Sequence, residues 1–158
     1  MTLALGLICL VASATQQITD KVNKDGKVWE ITRSPLEYLQ PKMNDAFKEL
    51  LGERDFINTA IQRGYVAYWY VDRGRLYLDR VEVPMKSGEF KELDNKDLKK
   101  IFRKYRRFGK IQAGWLTGNI EVGYGIGQRD AANPHIPAFA EEEYWVLKKG
   151  KIVLRATK

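Results

Sequence analysis

The sequence predicts one α+β domain, built on a twisted antiparallel β-meander of about six or seven strands that is partly closed and covered by two or three short helices. Runs of aromatic and β-branched residues alternate with glycine turns, which is typical of β-hairpins. Other stretches space their apolar residues as helices do. The chain of 158 residues, 44% apolar and 30% charged, has the length and composition of a single folded domain.

The first hairpin is the clearest strand signal. Residues 65–71 are aromatic and β-branched, residues 72–74 supply a tight turn, and residues 75–83 form the return strand. The alternation of apolar and polar residues shifts phase within the return strand, so we predict a bulge near Asp79 and Arg80. The other predicted strands are an early strand over residues 27–33, a second hairpin of residues 110–116 and 120–124, and a third hairpin of residues 143–147 and 151–154.

Helical spacing of apolar residues predicts the helices. Asn44 is expected to cap the first helix, which ends at Gly52. A second short helix covers residues 56–61 and ends at Gly64. A third, amphipathic helix covers residues 95–107. These helices are expected to cover one face of the sheet.

Residues 1–14 are predicted to be a signal peptide, which leaves residues 15–158 as the mature domain. An uncharged apolar run leads to a small-residue end at Ala14, and it is shorter than the about 20 residues of a membrane-spanning helix. No basic residue precedes this run, unlike in most signal peptides, so the alternative is an N-terminal strand or helix packed in the core. Lipidation of Cys9 is less favoured, because Ile8 precedes it instead of a small residue.

The cysteine content also agrees with export from the cytoplasm. Cleavage after Ala14 would remove the one cysteine of the chain, so the mature protein would contain neither a disulfide nor a thiol. A cysteine-free exported domain suits a bacterial periplasm, and we expect a periplasmic or secreted protein. No later segment is apolar over the width of a bilayer, so we expect no stable membrane insertion.

Residues that could carry catalysis or hold a cofactor are scarce. The one histidine, His135, lies in a proline-flanked loop with no nucleophile motif beside it. One histidine and one cysteine are too few for a zinc site, and the consecutive acids of residues 141–143 cannot encircle a cation. The glycines of residues 123–127 end a hairpin and do not open a helix, as a phosphate-binding loop would. We predict no catalytic residues, no metal and no cofactor.

Aromatic side chains of the hairpins offer a candidate ligand-facing surface, formed by Tyr68, Tyr70, Trp115 and Tyr124. Alternation along a strand places Tyr68 and Tyr70 on one face and Trp69 on the other, so at least one set is expected in the core. Core packing is the alternative interpretation of all these residues. An envelope enzyme or a carbohydrate-binding protein with an aromatic cleft is the second functional hypothesis.

The predicted helix over residues 95–107 carries a strongly basic outer face, and the chain has a net charge of +7. A concentrated positive surface accelerates encounter with acidic partners. The candidate partner-binding residues are Lys99, Lys100, Arg103, Lys104, Arg106 and Arg107. The alternatives are a solvated helix face and a surface that binds nucleic acid or an anionic envelope polymer. Binding of nucleic acid requires that residues 1–14 are not a signal peptide.

A longer pattern covers the second half of the chain. It consists of GYVAYWY at residues 64–70, LYL at 76–78, AGWLTG at 113–118, GYG at 123–125 and the charged closing hairpin around Gly150. This pattern resembles a family of small, largely uncharacterised exported bacterial proteins with aromatic β-hairpins. The resemblance implies an immunity-type or accessory role and brings over no catalytic residues. The leading prediction is a non-catalytic periplasmic binding protein, an immunity protein that occludes an antibacterial effector toxin.

Overall fold

The computed structural model describes residues 17–52, 61–125, 127, 132 and 138–158. This part of the chain forms ten β-strands, two α-helices and two short 3₁₀ helices. The strands are β1 Asp20–Lys24, β2 Lys27–Ile31, β3 Val66–Asp72, β4 Arg75–Pro84, β5 Phe90–Glu92, β6 Arg106–Arg107, β7 Lys110–Gln112, β8 Gly118–Tyr124, β9 Glu141–Lys148 and β10 Lys151–Thr157. The α-helices are α1 Pro41–Leu51 and α2 Asn95–Ile101, and the 3₁₀ helices are Pro35–Tyr38 and Arg103–Tyr105.

Seven of these strands close into a barrel in the order β10-β9-β8-β2-β1-β3-β4. The ring is completed where β4 pairs with β10, at Arg75 and Lys151. Neighbouring strands of the barrel are antiparallel except β1 and β3, which are parallel. The prediction of a twisted sheet with short helices is confirmed in outline. The predicted antiparallel, partly closed meander is wrong, because the sheet is mixed and the barrel is closed.

Strand β1 is responsible for the parallel pair. The sequence gives no strand signal there, because four of the five residues are polar. β1 forms a hairpin with β2 around Asp25 and Gly26, whose φ values of 53° and 75° are both positive, as in a type I′ turn. The chain then crosses through Pro35–Tyr38 and α1 and returns as β3 on the other side of β1. A strand that returns after such a crossover can run parallel to the first.

The first and third predicted hairpins are confirmed, as β3 with β4 and β9 with β10. In the first hairpin Tyr68 pairs with Arg80, and the next residue, Trp69, pairs with Leu78. Asp79 is therefore the extra residue on β4, which confirms the predicted bulge.

The second predicted hairpin is wrong. β7 pairs with β4 and β6, whereas β8 pairs with β2 and β9. The segment between β7 and β8 turns sharply: the Gly114 N–H donates to the Gln112 carbonyl at 2.7 Å, and the Leu116 N–H donates to the Ala113 carbonyl at 2.9 Å. The strands on either side of this turn therefore leave in different directions and find different neighbours.

The helix boundaries differ from the predicted ones. α1 begins at Pro41, one turn before the cap predicted at Asn44, because proline suits the first helical position. It ends at Gly52 as predicted, where φ is 71°, a value that favours glycine. The predicted second helix falls almost wholly outside the described residues. The predicted third helix is too long, since α2 ends at Ile101 and the chain continues as a 3₁₀ helix and then β6.

The hydrophobic core fills the barrel and extends to the helices. Trp69 and Trp145 are among its largest fully buried side chains. α1 adds Phe47 and α2 adds Leu98 to the same core, and Phe102, directly after α2, lies with its ring 6.2 Å from that of Phe47. The two helices are thereby fixed beside each other. None of the helices in the described ranges has the length and hydropathy needed to span a bilayer.

Candidate binding surface

A buried carboxylate network holds β1 in place between β2 and β3 in the barrel wall. Asp20 is fully buried and accepts hydrogen bonds from Ser34 Oγ at 2.5 Å, Arg63 Nη2 at 2.5 Å, the Ala67 N–H at 3.0 Å and Trp69 Nε1 at 3.0 Å. Burial raises the pKa of Asp20 above its ordinary value, while Arg63 and the hydrogen bonds oppose that rise. Because every neighbour donates, the network links β1, β3 and the Ser34 turn.

The same network contains the hydroxyl of Ser34, a residue type that serves as a nucleophile in some enzymes. Ser34 is fully buried, and it accepts a hydrogen bond from Tyr65 Oη at 3.3 Å. Burial also raises the pKa of Tyr65 to about 12, so that its phenol stays protonated at neutral pH. A substrate has no access to Ser34 in this fold, and we interpret the network as structural.

The six predicted partner-binding residues do not share one helical face. Lys99 and Lys100 lie on α2, the next two basic residues lie on the 3₁₀ helix Arg103–Tyr105, and the last two form β6. Three of them, Lys100, Arg103 and Lys104, line a groove between α1 and α2. Arg107 lines a second pocket, which Lys104 borders as well. Lys99 and Arg106 line neither.

The groove between α1 and α2 has a volume of about 760 Å³ and an apolar floor. Met43 and Leu50 contribute from α1, and Ile101 and Tyr105 contribute from the opposite wall. All four side chains are half-buried: Met43, Leu50 and Ile101 pack against the core, and Tyr105 packs against Trp115 with centroids 5.4 Å apart. Such a concave surface with an apolar base is suited to receive a side chain or a helix of another protein.

Cations outnumber acidic residues around the groove. Its rim carries the cations Lys42, Lys100, Arg103 and Lys104 against the acids Glu49 and Asp97. None of the four cations forms an ion pair with a carboxylate of the described residues. The groove therefore presents unpaired positive charge beside an apolar floor.

Two of the candidate ligand-facing aromatics lie together on the outside of β3. Tyr68 and Tyr70 line a pocket of about 380 Å³, while Trp69 points into the barrel as the alternation predicts. Tyr68 Oη donates to Glu82 at 2.8 Å, and the Arg80 guanidinium lies 3.7 Å above the Tyr68 ring. The polar end and one face of Tyr68 are thus already engaged within the chain.

The other two candidate aromatics are elsewhere. Trp115 stacks on Phe102 with centroids 5.0 Å apart, and its indole N–H donates to the Pro35 carbonyl at 2.9 Å. Tyr124 packs against Trp29 with centroids 5.3 Å apart. The structure therefore does not assemble the four predicted aromatics into one cleft.

No protein-family model matches the sequence, and neither a curated protein nor a solved structure is significantly similar to it. The resemblance to small exported bacterial proteins stays a prediction. Function is therefore inferred from the surfaces of the molecule.

Several predicted features lie outside the described residues, including His135 and residues 1–14. Within the described ranges, no group of three or more His, Cys, Asp and Glu side chains could hold a metal ion. Gly123 is described, and a Cβ there would lie 2.0 Å from the Phe139 ring, so close packing explains this glycine. Of the consecutive acids at residues 141–143, Glu143 forms an ion pair with Lys24.

The prediction from sequence missed one half of the groove and most of the second pocket. The α1 wall, with Lys42 and Met43, is brought to α2 only by long-range packing. The lysines around Gly150 are visible in the sequence as a charge run at a turn, and that run was the available signal for the second pocket.

Proposed function

We propose that this chain is a non-catalytic binding protein whose partner is an acidic protein that docks in the groove between α1 and α2. The observation that carries the proposal is the combination, in one groove of about 760 Å³, of an apolar floor with a rim of unpaired cations. Apolar contact at the centre of an interface supplies affinity, and the complementary charge at its edge supplies encounter rate and specificity.

Arg103 is the proposed anchor of the interface. Arginine is enriched in the residues that dominate binding energy, and its guanidinium can hold a carboxylate with two hydrogen bonds. Arg103 is exposed on the 3₁₀ helix beside the apolar floor and makes no ion pair within the described residues. An acidic side chain of the partner would complete this arrangement.

The proposed biological role is immunity, in which this protein covers the active cleft of an antibacterial effector toxin. Steric masking needs a rigid scaffold and a fast encounter, and the closed barrel and the basic rim are suited to these two requirements. Action in the periplasm or outside the cell is part of the proposal. It depends on the signal peptide predicted at residues 1–14.

Capture of the partner with a matched pair of variants tests the proposal. Tagged wild-type protein is used to pull down partners from the native organism, beside Lys100→Glu/Arg103→Glu and the control Lys48→Glu/Lys91→Glu. Both variants change the net charge equally, but Lys48 and Lys91 are exposed residues that do not line the groove. We expect an acidic protein that wild type and control retain and that the groove variant loses, with affinity at least about tenfold weaker.

Equal retention by the two variants would remove the groove from the interface. Co-expression of the captured partner with this chain then tests immunity. Growth that is restored by wild type and not by the groove variant supports toxin occlusion, whereas a harmless partner contradicts it. Mass spectrometry of the native N-terminus tests export: a mature chain that begins at Thr15 supports it, and a retained Met1 contradicts it.

A further inference from the structure

A second basic pocket lies at the seam where the barrel closes, and the proposed partner groove does not account for it. It has a volume of about 430 Å³ and is bounded by the start of β4, the 3₁₀ helix Arg103–Tyr105, β6, β7 and the β9–β10 hairpin. The cations that line it are Arg75, Lys104, Arg107, Lys148, Lys149 and Lys151.

Strand pairing forces three of these cations into one row. Arg75 lies opposite Lys151, and Lys151 lies opposite Lys148. Side chains directly opposite each other share one face of the sheet, and like charges in such pairs are destabilising. The row extends over two strand spacings, or roughly 10 Å. An anion bound along the row would cancel this repulsion.

The chain itself supplies no such anion among the described residues. The pocket lining contains no acidic side chain, and none of the six cations forms an ion pair. Exposed lysines elsewhere in the chain form ion pairs: Lys110 pairs with Asp72 at 3.3 Å, and Lys158 pairs with Glu121 at 3.0 Å. Positive charge is therefore concentrated, and left unpaired, at this pocket.

A buried amide lies beside the cations and ties β7 to the lysine turn. Gln112 lines the pocket and is only 3% exposed. Its Nε2 donates to the Lys149 carbonyl at 3.1 Å, but its Oε1 accepts no hydrogen bond from the residues that the structure describes. A buried acceptor without a donor is destabilising. The Nε2 bond offsets part of this cost and holds the Lys149 backbone against β7, beside the cations.

The turn that carries the lysines is held in place by the fold. The Gly150 N–H donates to the Leu116 carbonyl at 2.8 Å, and the Leu76 N–H donates to the Gly150 carbonyl at 2.9 Å. The Lys149 N–H donates to Thr117 Oγ1 at 3.0 Å. These bonds fix the backbone of the pocket, which lowers the entropy cost of binding a ligand.

We propose that this pocket binds a small molecule that carries several closely spaced phosphate groups. Phosphate oxygens accept hydrogen bonds from lysine and arginine side chains, and several linked phosphates match a row of such cations. The volume of about 430 Å³ lies in the range of small-molecule sites, and the cations converge in one concavity, which favours a compact ligand over an extended nucleic-acid strand.

Titration calorimetry at constant ionic strength tests this site with tripolyphosphate, ATP and inositol hexakisphosphate as probes. The variant is Lys148→Gln/Lys151→Gln, and the control Lys48→Gln/Lys91→Gln removes the same charge from surfaces that line none of the three pockets described above. We expect wild type and control to bind at least one probe, and the variant to bind it at least tenfold more weakly. The preferred probe identifies an inorganic, nucleotide or inositol source of the phosphates.

Thermal unfolding without ligand supplies a second readout. Because the variant removes like-charge repulsion, its melting temperature is expected to equal or exceed that of the control. The proposal is overturned if no probe binds, if both variants weaken binding equally, or if a single-stranded oligonucleotide binds more tightly than every probe. Both variants leave the partner groove unchanged, so failure here is distinguishable from failure of the proposed function.

Discussion

At the scale of single residues, Asp20 and Lys24 explain why β1 exists. Both are polar, and both are buried by neighbours that come from distant parts of the chain. Asp20 receives its donors from Ser34, Arg63 and β3. The Lys24 ammonium pairs with Glu143 and lies 4.2 Å from the centroid of Trp29. A strand held by such contacts has no apolar alternation, so its sequence looks like a loop.

Replacement of Asp20 by Asn tests the role of this carboxylate. The variant leaves Arg63, which is 20% exposed, without its ion-pair partner and sets an amide N–H₂ against other donors. Loss of one partner of a buried ion pair costs about 3–5 kcal/mol. We expect a decrease of that order in the free energy of unfolding, measured by urea denaturation at neutral pH. The exposed change Asp45→Asn is the control. A loss below about 1 kcal/mol would contradict the ion-pair assignment.

At the scale of elements, the β9–β10 turn joins the hairpin to the rest of the barrel. Gly150 has a φ of 74°, and a Cβ at this position would lie 2.7 Å from the Ala113 carbonyl oxygen. This is a backbone contact, which cannot rotate away. The turn can therefore reach the β7–β8 connection only because residue 150 is glycine.

Gly150→Ala and Gly109→Ala form a matched pair that tests this contact. Gly109 has nearly the same backbone angle, with φ of 78°, but a Cβ there would meet nothing within 4 Å. Both variants carry the strain of a positive φ, roughly 1 kcal/mol, and only Gly150→Ala adds overpacking of about 1–3 kcal/mol. We expect the difference to appear in chemical denaturation. Equal destabilisation of the two variants would show that the turn can shift without cost.

The limits of prediction from sequence also appear at this scale. The β3–β4 and β9–β10 hairpins, and the bulge at Asp79, follow from contacts between residues that are close in the chain. α2 ends at Ile101 instead, and the next residue, Phe102, is fully buried and stacks on Trp115, a residue distant in the chain, with ring centroids 5.0 Å apart. Helical spacing continues through this point in the sequence. The six basic residues from Lys99 to Arg107 were therefore predicted on one helical face and lie on three elements.

At the scale of the whole molecule, closure of the barrel decides where the binding surfaces lie. The pairing of Arg75 with Lys151 joins strands that are far apart in the sequence, and no local sequence pattern predicts this pairing. Closure brings the lysine turn to β4 and β7 and so forms the second basic pocket, where we propose that phosphates bind. Packing of α1 on α2 forms the partner groove in the same way. Residue types at both sites are visible in the sequence, but their grouping is a property of the fold.

Lys104 and Tyr105 line both the groove and the phosphate pocket. The two proposed sites are therefore adjacent on one side of the molecule, and the positive charge of each attracts anions toward both. This proximity concentrates positive charge at one region of a chain whose net charge is +7.

NMR spectroscopy of the labelled protein, titrated with the captured acidic partner, tests the central claim most directly. We predict that the largest chemical-shift changes occur in the groove, at Met43, Leu50, Ile101 and Arg103. The chemical shifts of Tyr68, on the outer face of β3, are expected to stay unchanged. Shift changes confined to the β3 face, with the groove unaffected, would contradict the account.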